Sequence, residues 1–260
     1  MVYTTSANVD DWSGYGPISS KNWQPTGVLV YQNSGVYDAF ERYFDEALWP
    51  HATDTSATAF RSTMTTLHTA SGGLHYAEDS DGISAYCYPV PVVSGTDTFW
   101  NGDYNPHPLV METINTVSGI TAPYVKMNQG YLRFDASGSD EFGDQFMQDI
   151  NTMASVHGIN LASSAGSNVR FVMHNSDHSG SDLSPIASTR IADPRSTHSK
   201  NMTYAFTWSG TPHYYSTGGS PNAKLNGFTE KANHIIMIHE AGAADKEVYQ
   251  NLKDVFENIF

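Results

Sequence analysis

Short apolar runs flanked by turn formers alternate along this chain with segments of helical period. That alternation narrows the fold more than any other feature. "TGVLVYQNS" is a brief apolar run bounded by Thr, Gly, Asn and Ser, the pattern of a buried strand. It feeds "GVYDAFERYFDEALWPHA", where Val36, Phe40, Tyr43, Phe44 and Trp49 recur at helical spacing until Pro50 ends the pattern. A strand followed at once by a helix begins an α/β layer.

The same alternation continues downstream. "GISAYCYPVPVV" is the best strand of the Ser/Thr-rich middle, and "EDSDG" before it is a turn. A helix is predicted in "PLVMETINTVSG", a strand in "YVKMNQGYLRF", and a second helix in "SDEFGDQFMQDINTMASVHG". In that helix Ser139 or Asp140 can cap, and Phe142, Phe146, Ile150, Met153 and Val156 form one apolar stripe. "SNVRFVMHNS" is another strand, followed to about Phe228 by strands and loops with little helix. Thr229 is placed to cap a helix through "TEKANHIIMIHEAG". Asp245 or a neighbour is placed to cap a final helix with Val248, Leu252, Val255, Phe256 and Ile259 on one side. No internal repeat and no linker interrupts the 260 residues. The expected architecture is an α/β (α+β) mixed sheet packed with helices, an arm over residues 1–25 and a single domain over 26–260.

Charge bounds the partners. The chain carries 27 acidic residues against 13 basic ones, a formal net charge of −14. A field of that sign repels nucleic acid and anionic lipid, so nucleic acid is excluded as an expected partner. No run approaches the roughly 18–20 apolar residues of a membrane span. Eighteen Asp and nine Glu against seven Lys suit concentrated salt, as in halophiles, or an acidic extracellular protein. The amino terminus has neither a basic region nor an apolar stretch of the secretion type. The Ser, Thr, Gly, Tyr and Asn content nevertheless has an extracellular character, with Asn201 in "NMT" as a possible glycosylation acceptor. Cys87 is the single cysteine, and its apolar strand context marks it as a buried thiol.

The segment "TEKANHIIMIHEAGAADKE" raises the sharpest chemical question. On a helix, two histidines four residues apart share a face and can hold one zinc ion, while a Glu after the first activates the bound water. His239 and Glu240 supply the first half of H-E-x-x-H, and the second His position is Ala243. His234 lies five residues before His239, about 500° of helix and thus roughly 140° away around the axis, too far to share the ion. The segment resembles the active-site helix of zincin-type (metzincin-like) metalloproteases. That resemblance implies a sheet above a zinc helix, with zinc on His239, Glu240 as general base, and a protein or peptide substrate. It also leaves three explanations of Ala243: a natural pseudo-enzyme, an engineered inactive variant, or a site completed by other histidines such as His174, His178, His198 or His213.

A second cluster, "VMHNSDHSGSD", places His174, Asp177, His178 and Asp182 after a predicted strand, where metal sites are often built. Its H-x-x-D-H spacing resembles, with one residue more, the H-x-D-H loop of metallo-β-lactamase-like hydrolases. His174, Asp177 and His178 are therefore candidate zinc ligands beside His239, and a polar turn is the alternative. There is no G-x-S-x-G nucleophile elbow and no phosphate-cradling Gly loop. Against the peptidase expectation stands a non-catalytic extracellular recognition protein for a glycan or protein ligand. Its candidate contacts are Trp208, Tyr214 and Tyr215, with Trp100 in a similar Gly/Asn/Asp setting, since such aromatics stack on sugars or anchor a partner.

Overall fold

The computed structural model describes residues 1–5, 27–53, 57–70, 74–91, 98–134, 141–173, 176–177, 182–192, 199–242, 244 and 246–260. Strand β1 (Val2–Thr5) pairs antiparallel with β2 (Gly27–Val30). The expected buried strand "TGVLVYQNS" is thus half of a two-stranded ribbon outside the main sheet, with Leu29 exposed and only Val30 fully buried. Helix α1 (Ser34–Arg42) starts at Asn33, whose side chain accepts from Val36 N–H. It runs on through a π turn (Tyr43–Leu48) and a 3₁₀ turn (Trp49–His51). The wider π turn shifts the phase of the helix, so Val36, Tyr43 and Ala47 are buried while Phe44 and Trp49, expected on the same stripe, are exposed. Helix α2 (Ala57–Thr69) has no counterpart in the sequence expectation, because its Thr-rich surface leaves only Phe60 and Met64 as a buried signal.

The main sheet has seven strands in the order β3 (Ile83–Tyr88), β11 (Asn233–Ala241), β10 (Thr211–Gly219), β9 (Lys200–Trp208), β4 (Thr121–Gln129), β6 (Val169–Met173), β8 (Ile191–Ala192). Strands β4, β6 and β8 run parallel, and the remaining pairings are antiparallel. Two short strands, β5 (Leu132–Arg133) and β7 (Ser176–Asp177), form a separate parallel pair. Strands β9 and β10 are joined by Ser209–Gly210, both with positive φ, the geometry that matches a two-residue hairpin to strand twist. The single mixed α/β domain is therefore as expected.

Helices cover both faces. Under one face lie α3 (Pro106–Thr116) and α4 (Phe142–His157), whose buried Met111, Ile114, Phe146 and Ile150 meet Val125, Met127, Phe171, Met202 and Tyr204. On α4 the stripe Phe142, Phe146, Ile150 and Met153 is buried as predicted, whereas Val156 in the last turn is exposed. The cap is Glu141, with Asp144 accepting from its backbone N–H; Ser139 and Asp140 lie outside the described residues. On the opposite face α6 (Glu247–Ile259) covers one part of the sheet, and the β1–β2 ribbon with α1 covers Ala85 and Ile236.

The largest departure is the segment expected to carry a zinc helix. Residues 233–241 are β11, a strand between β3 and β10, and Thr229 ends a five-residue helix α5 (Leu225–Thr229) rather than starting one. Its hydroxyl donates back to Leu225 O. Physically, "HIIMI" is a run of large apolar residues in which Ile235 and Met237 fill the α3/α4 core and Ile236 fills the ribbon side. A strand buried on both faces needs apolar residues at every position and loses the alternation that would have announced it.

Candidate functional site around His239

In a strand, neighbouring side chains point to opposite faces, so His239 and Glu240 are separated by the sheet. Glu240 faces α6, where its two carboxylate oxygens accept from Val248 N–H at 3.0 Å and Tyr249 N–H at 2.8 Å. It caps that helix from the sheet; Asp245, the cap expected from the sequence, lies outside the described residues. His234 also lies on the α6 and ribbon side, with Phe40 edge-on to its ring at 5.2 Å. Both the helical geometry and the shared face required by H-E-x-x-H are therefore missing, and Ala243 lies outside the described residues.

His239 instead joins a hydrogen-bonded chain. Glu78 Oε1 accepts from His239 Nδ1 at 2.7 Å, and His239 Nε2 lies 2.9 Å from His213 Nδ1. With Glu78 as acceptor, a neutral His239 carries its proton on Nδ1 and accepts from His213 Nδ1–H, which leaves His213 Nε2 as a lone-pair acceptor. Partial burial holds the His213 pKa below its usual value, His239 adds to that effect, and Glu78 opposes it. Glu78 is positioned by the "EDSDG" turn. There Asp79 Oδ1 accepts from Asp81 and Ile83 N–H, and its other oxygen accepts from Asn33 and Tyr76. Burial works against the Asp79 charge, but these donors outweigh it and hold its carboxyl below the ordinary range. Gly82, at φ +73°, lets the turn press against β11, since a Cβ there would meet His239 O at 2.1 Å.

Aromatic rings extend this chain into a ladder. Tyr215 lies parallel to His239 at 4.1 Å between centroids, His213 to His239 at 5.2 Å, and Phe206 to His213 at 5.3 Å. Trp208, 44% exposed at the end of β9, stands 6.2 Å from His213. Register explains the assembly: Tyr215 pairs with Tyr204 on one side and His239 on the other, so the rings stand in adjacent rows of one face. Tyr214, grouped with Tyr215 in the sequence reading, points the other way and packs on Tyr249 of α6 at 4.7 Å.

Glu78, His239 and His213 are joined in line, with both ring nitrogens of His239 hydrogen-bonded. Among the described residues no group of three His, Cys, Asp or Glu is arranged to hold a metal ion. Asp177 sits in β7, in register with Arg133, while His174, His178 and His198 lie outside the described residues. Asp182 follows them and is described, without joining the His239 ladder. Asn201 is only 2% exposed near the start of β9, so the folded domain offers no glycosylation acceptor there. Cys87 is buried in β3, as expected, and burial pushes its thiol pKa far up. Glu78 and His213 were visible in the sequence only as members of a turn and a pool of histidines, because the strand register that unites them is set over more than 130 residues. No known protein family matches the chain, and no curated protein matches it.

Proposed function

We propose that this is a non-catalytic recognition protein, acting outside the cell, whose ligand is a glycan held against Trp208 and the His213–Tyr215–His239 ladder. The carrying observation is a largely covered aromatic ladder that ends in the exposed Trp208, with a hydrogen-bonding edge at His213. An indole face supplies apolar contact to a sugar ring at little entropic cost, and His213 Nε2 and Glu78 supply acceptors for hydroxyl groups. The zincin-type reading is weakened by the strand at His239 and by the capping role of Glu240.

The test combines a panel of immobilised neutral oligosaccharides with metal analysis. Binding by the wild-type chain and a loss of about tenfold or more in Trp208→Ala is the expected outcome, in line with about 1–3 kcal/mol for a stacked aromatic. About one tightly held zinc per chain with chelator-sensitive peptide hydrolysis would overturn it in favour of a metallopeptidase. Capture of sugars undiminished by Trp208→Ala would also sink it.

A further inference from the structure

A cleft of about 550 Å³ opens to solvent between α3, α4 and the 3₁₀ turn Thr98–Trp100, remote in sequence from the His239 ladder. Its donors are largely spent internally. Trp100 Nε1 donates to Asp149 Oδ2 at 3.0 Å, and Asn115 Nδ2 donates to Asp149 O at 3.3 Å. The Thr116 and Thr152 hydroxyls donate to Glu112 O and Gln148 O of their own helices at 2.8 and 2.9 Å. Acceptors remain. Asn115 Oδ1 is buried without a hydrogen-bond partner, the second oxygen of Asp149 is not engaged by Trp100, and Glu112 on the rim adds a carboxylate. Asn101, whose Oδ1 accepts from Asp103 N–H, contributes its amide nitrogen at one end. Among the described residues, no Lys, Arg or His lines the cleft.

A site rich in acceptors and carboxylates, poor in free donors and walled on one side by an indole is complementary to a group that is all donor and positively charged. A neutral sugar would bring acceptors of its own that such walls cannot satisfy. We propose that this cleft binds a small protonated amine, with its ammonium group between Asp149 and Glu112 and its carbon chain against the Trp100 indole.

The groups facing the ammonium are Asp149 from α4 and Glu112 from α3, while the Trp100 turn adds no titratable group to the lining. Burial, with Glu112 beside it, raises the Asp149 carboxyl to about 6, despite the Trp100 hydrogen bond. Affinity therefore rises as pH passes upward through that value.

The probe is a linear four-carbon diamine titrated calorimetrically into the full chain at about 0.15 M salt, where nonspecific attraction to the acidic surface is screened. The expected result is saturable one-to-one binding that falls at least tenfold in Asp149→Asn and severalfold in Glu112→Gln. It should also fall roughly tenfold between about pH 7.5 and pH 5. The four-carbon diol and glucose should not compete. Thr152→Lys, an exposed position on α4, places an ammonium in the cleft from the protein itself and should abolish binding without depending on the fold tolerance of Asp149. Equal diamine affinity in Asp149→Asn and Thr152→Lys, or competition by glucose in place of the diamine, overturns the proposal.

Discussion

Asp149 is a carboxylate held in a place that disfavours its charge. The Trp100 indole donates to it, but burial and the neighbouring Glu112 outweigh that bond and raise its carboxyl to about 6. A raised carboxyl pKa means that the folded chain binds a proton more tightly than the unfolded chain. Stability is therefore lost as pH rises from about 4 to about 6 and stays reduced above. Asp149→Asn removes the charge and keeps an oxygen for the indole N–H. At about 1.36 kcal/mol per pKa unit the upper bound is near 3 kcal/mol, and partial solvation of the cleft reduces it to roughly 1–2. Denaturant unfolding at about pH 7 should show the variant more stable by that amount, with the gain gone near pH 4; equal stability at both pH values would contradict it. The same residue that costs stability in the free chain is the one that gains most from a bound cation.

Glu240 is a small instance of how elements are tied together across the sheet. Helix α6 begins after Lys246, and no side chain at that position caps it; instead the strand next door lends a carboxylate to two of its first N–H groups. Such N–H groups have no partner within the helix, and the negative charge also suits the positive end of its dipole. Glu240→Ala should lower stability by about 1–2 kcal/mol, while Glu240→Gln, which keeps one acceptor oxygen, should lower it by less. An unchanged melting temperature in both variants would show that α6 is held by Tyr249, Leu252 and Phe256 alone. The example also shows what sequence could and could not reveal. Leu252 and Phe256 of α6 and most of the α4 stripe were legible because a one-sided helix writes its period into the chain, whereas Val248 and Val255 are only half-buried and Tyr249 takes a core place outside the expected stripe. β11 was not, because a central strand apolar on both faces has the composition of a buried helix, and His-Glu at its end completed the false pattern. Helix α2 went unseen for the opposite reason: its apolar face amounts to two residues among threonines. The Glu78–His239–His213 chain depends on register between distant strands, which local sequence does not encode.

Across the whole molecule, 27 acidic residues face 13 basic ones, and the folded state must hold them at closer quarters than the unfolded chain does. Among the described residues, the ion pairs of Lys and Arg dispose of few of these charges: Arg42 with Glu46, Arg61 with Glu230, Arg133 with Glu141, and Lys126 and Arg170 with Glu257. Self-repulsion therefore weighs against folding at low ionic strength. Added salt shortens the Debye length from about 30 Å at 0.01 M to about 3 Å at 1 M, so the melting temperature should climb steeply over that range in sodium chloride. Two origins of the acidity separate above it. Screening alone is exhausted near 1 M, and an ordinary acidic extracellular protein should then plateau. A surface adapted to concentrated salt should go on gaining stability at several molar and lose its cooperative unfolding transition in dilute buffer. A melting temperature that is flat or falling between 0.01 and 1 M would mean that the excess carboxylates are already compensated in the fold, and would remove the halophilic reading along with the premise of repulsion.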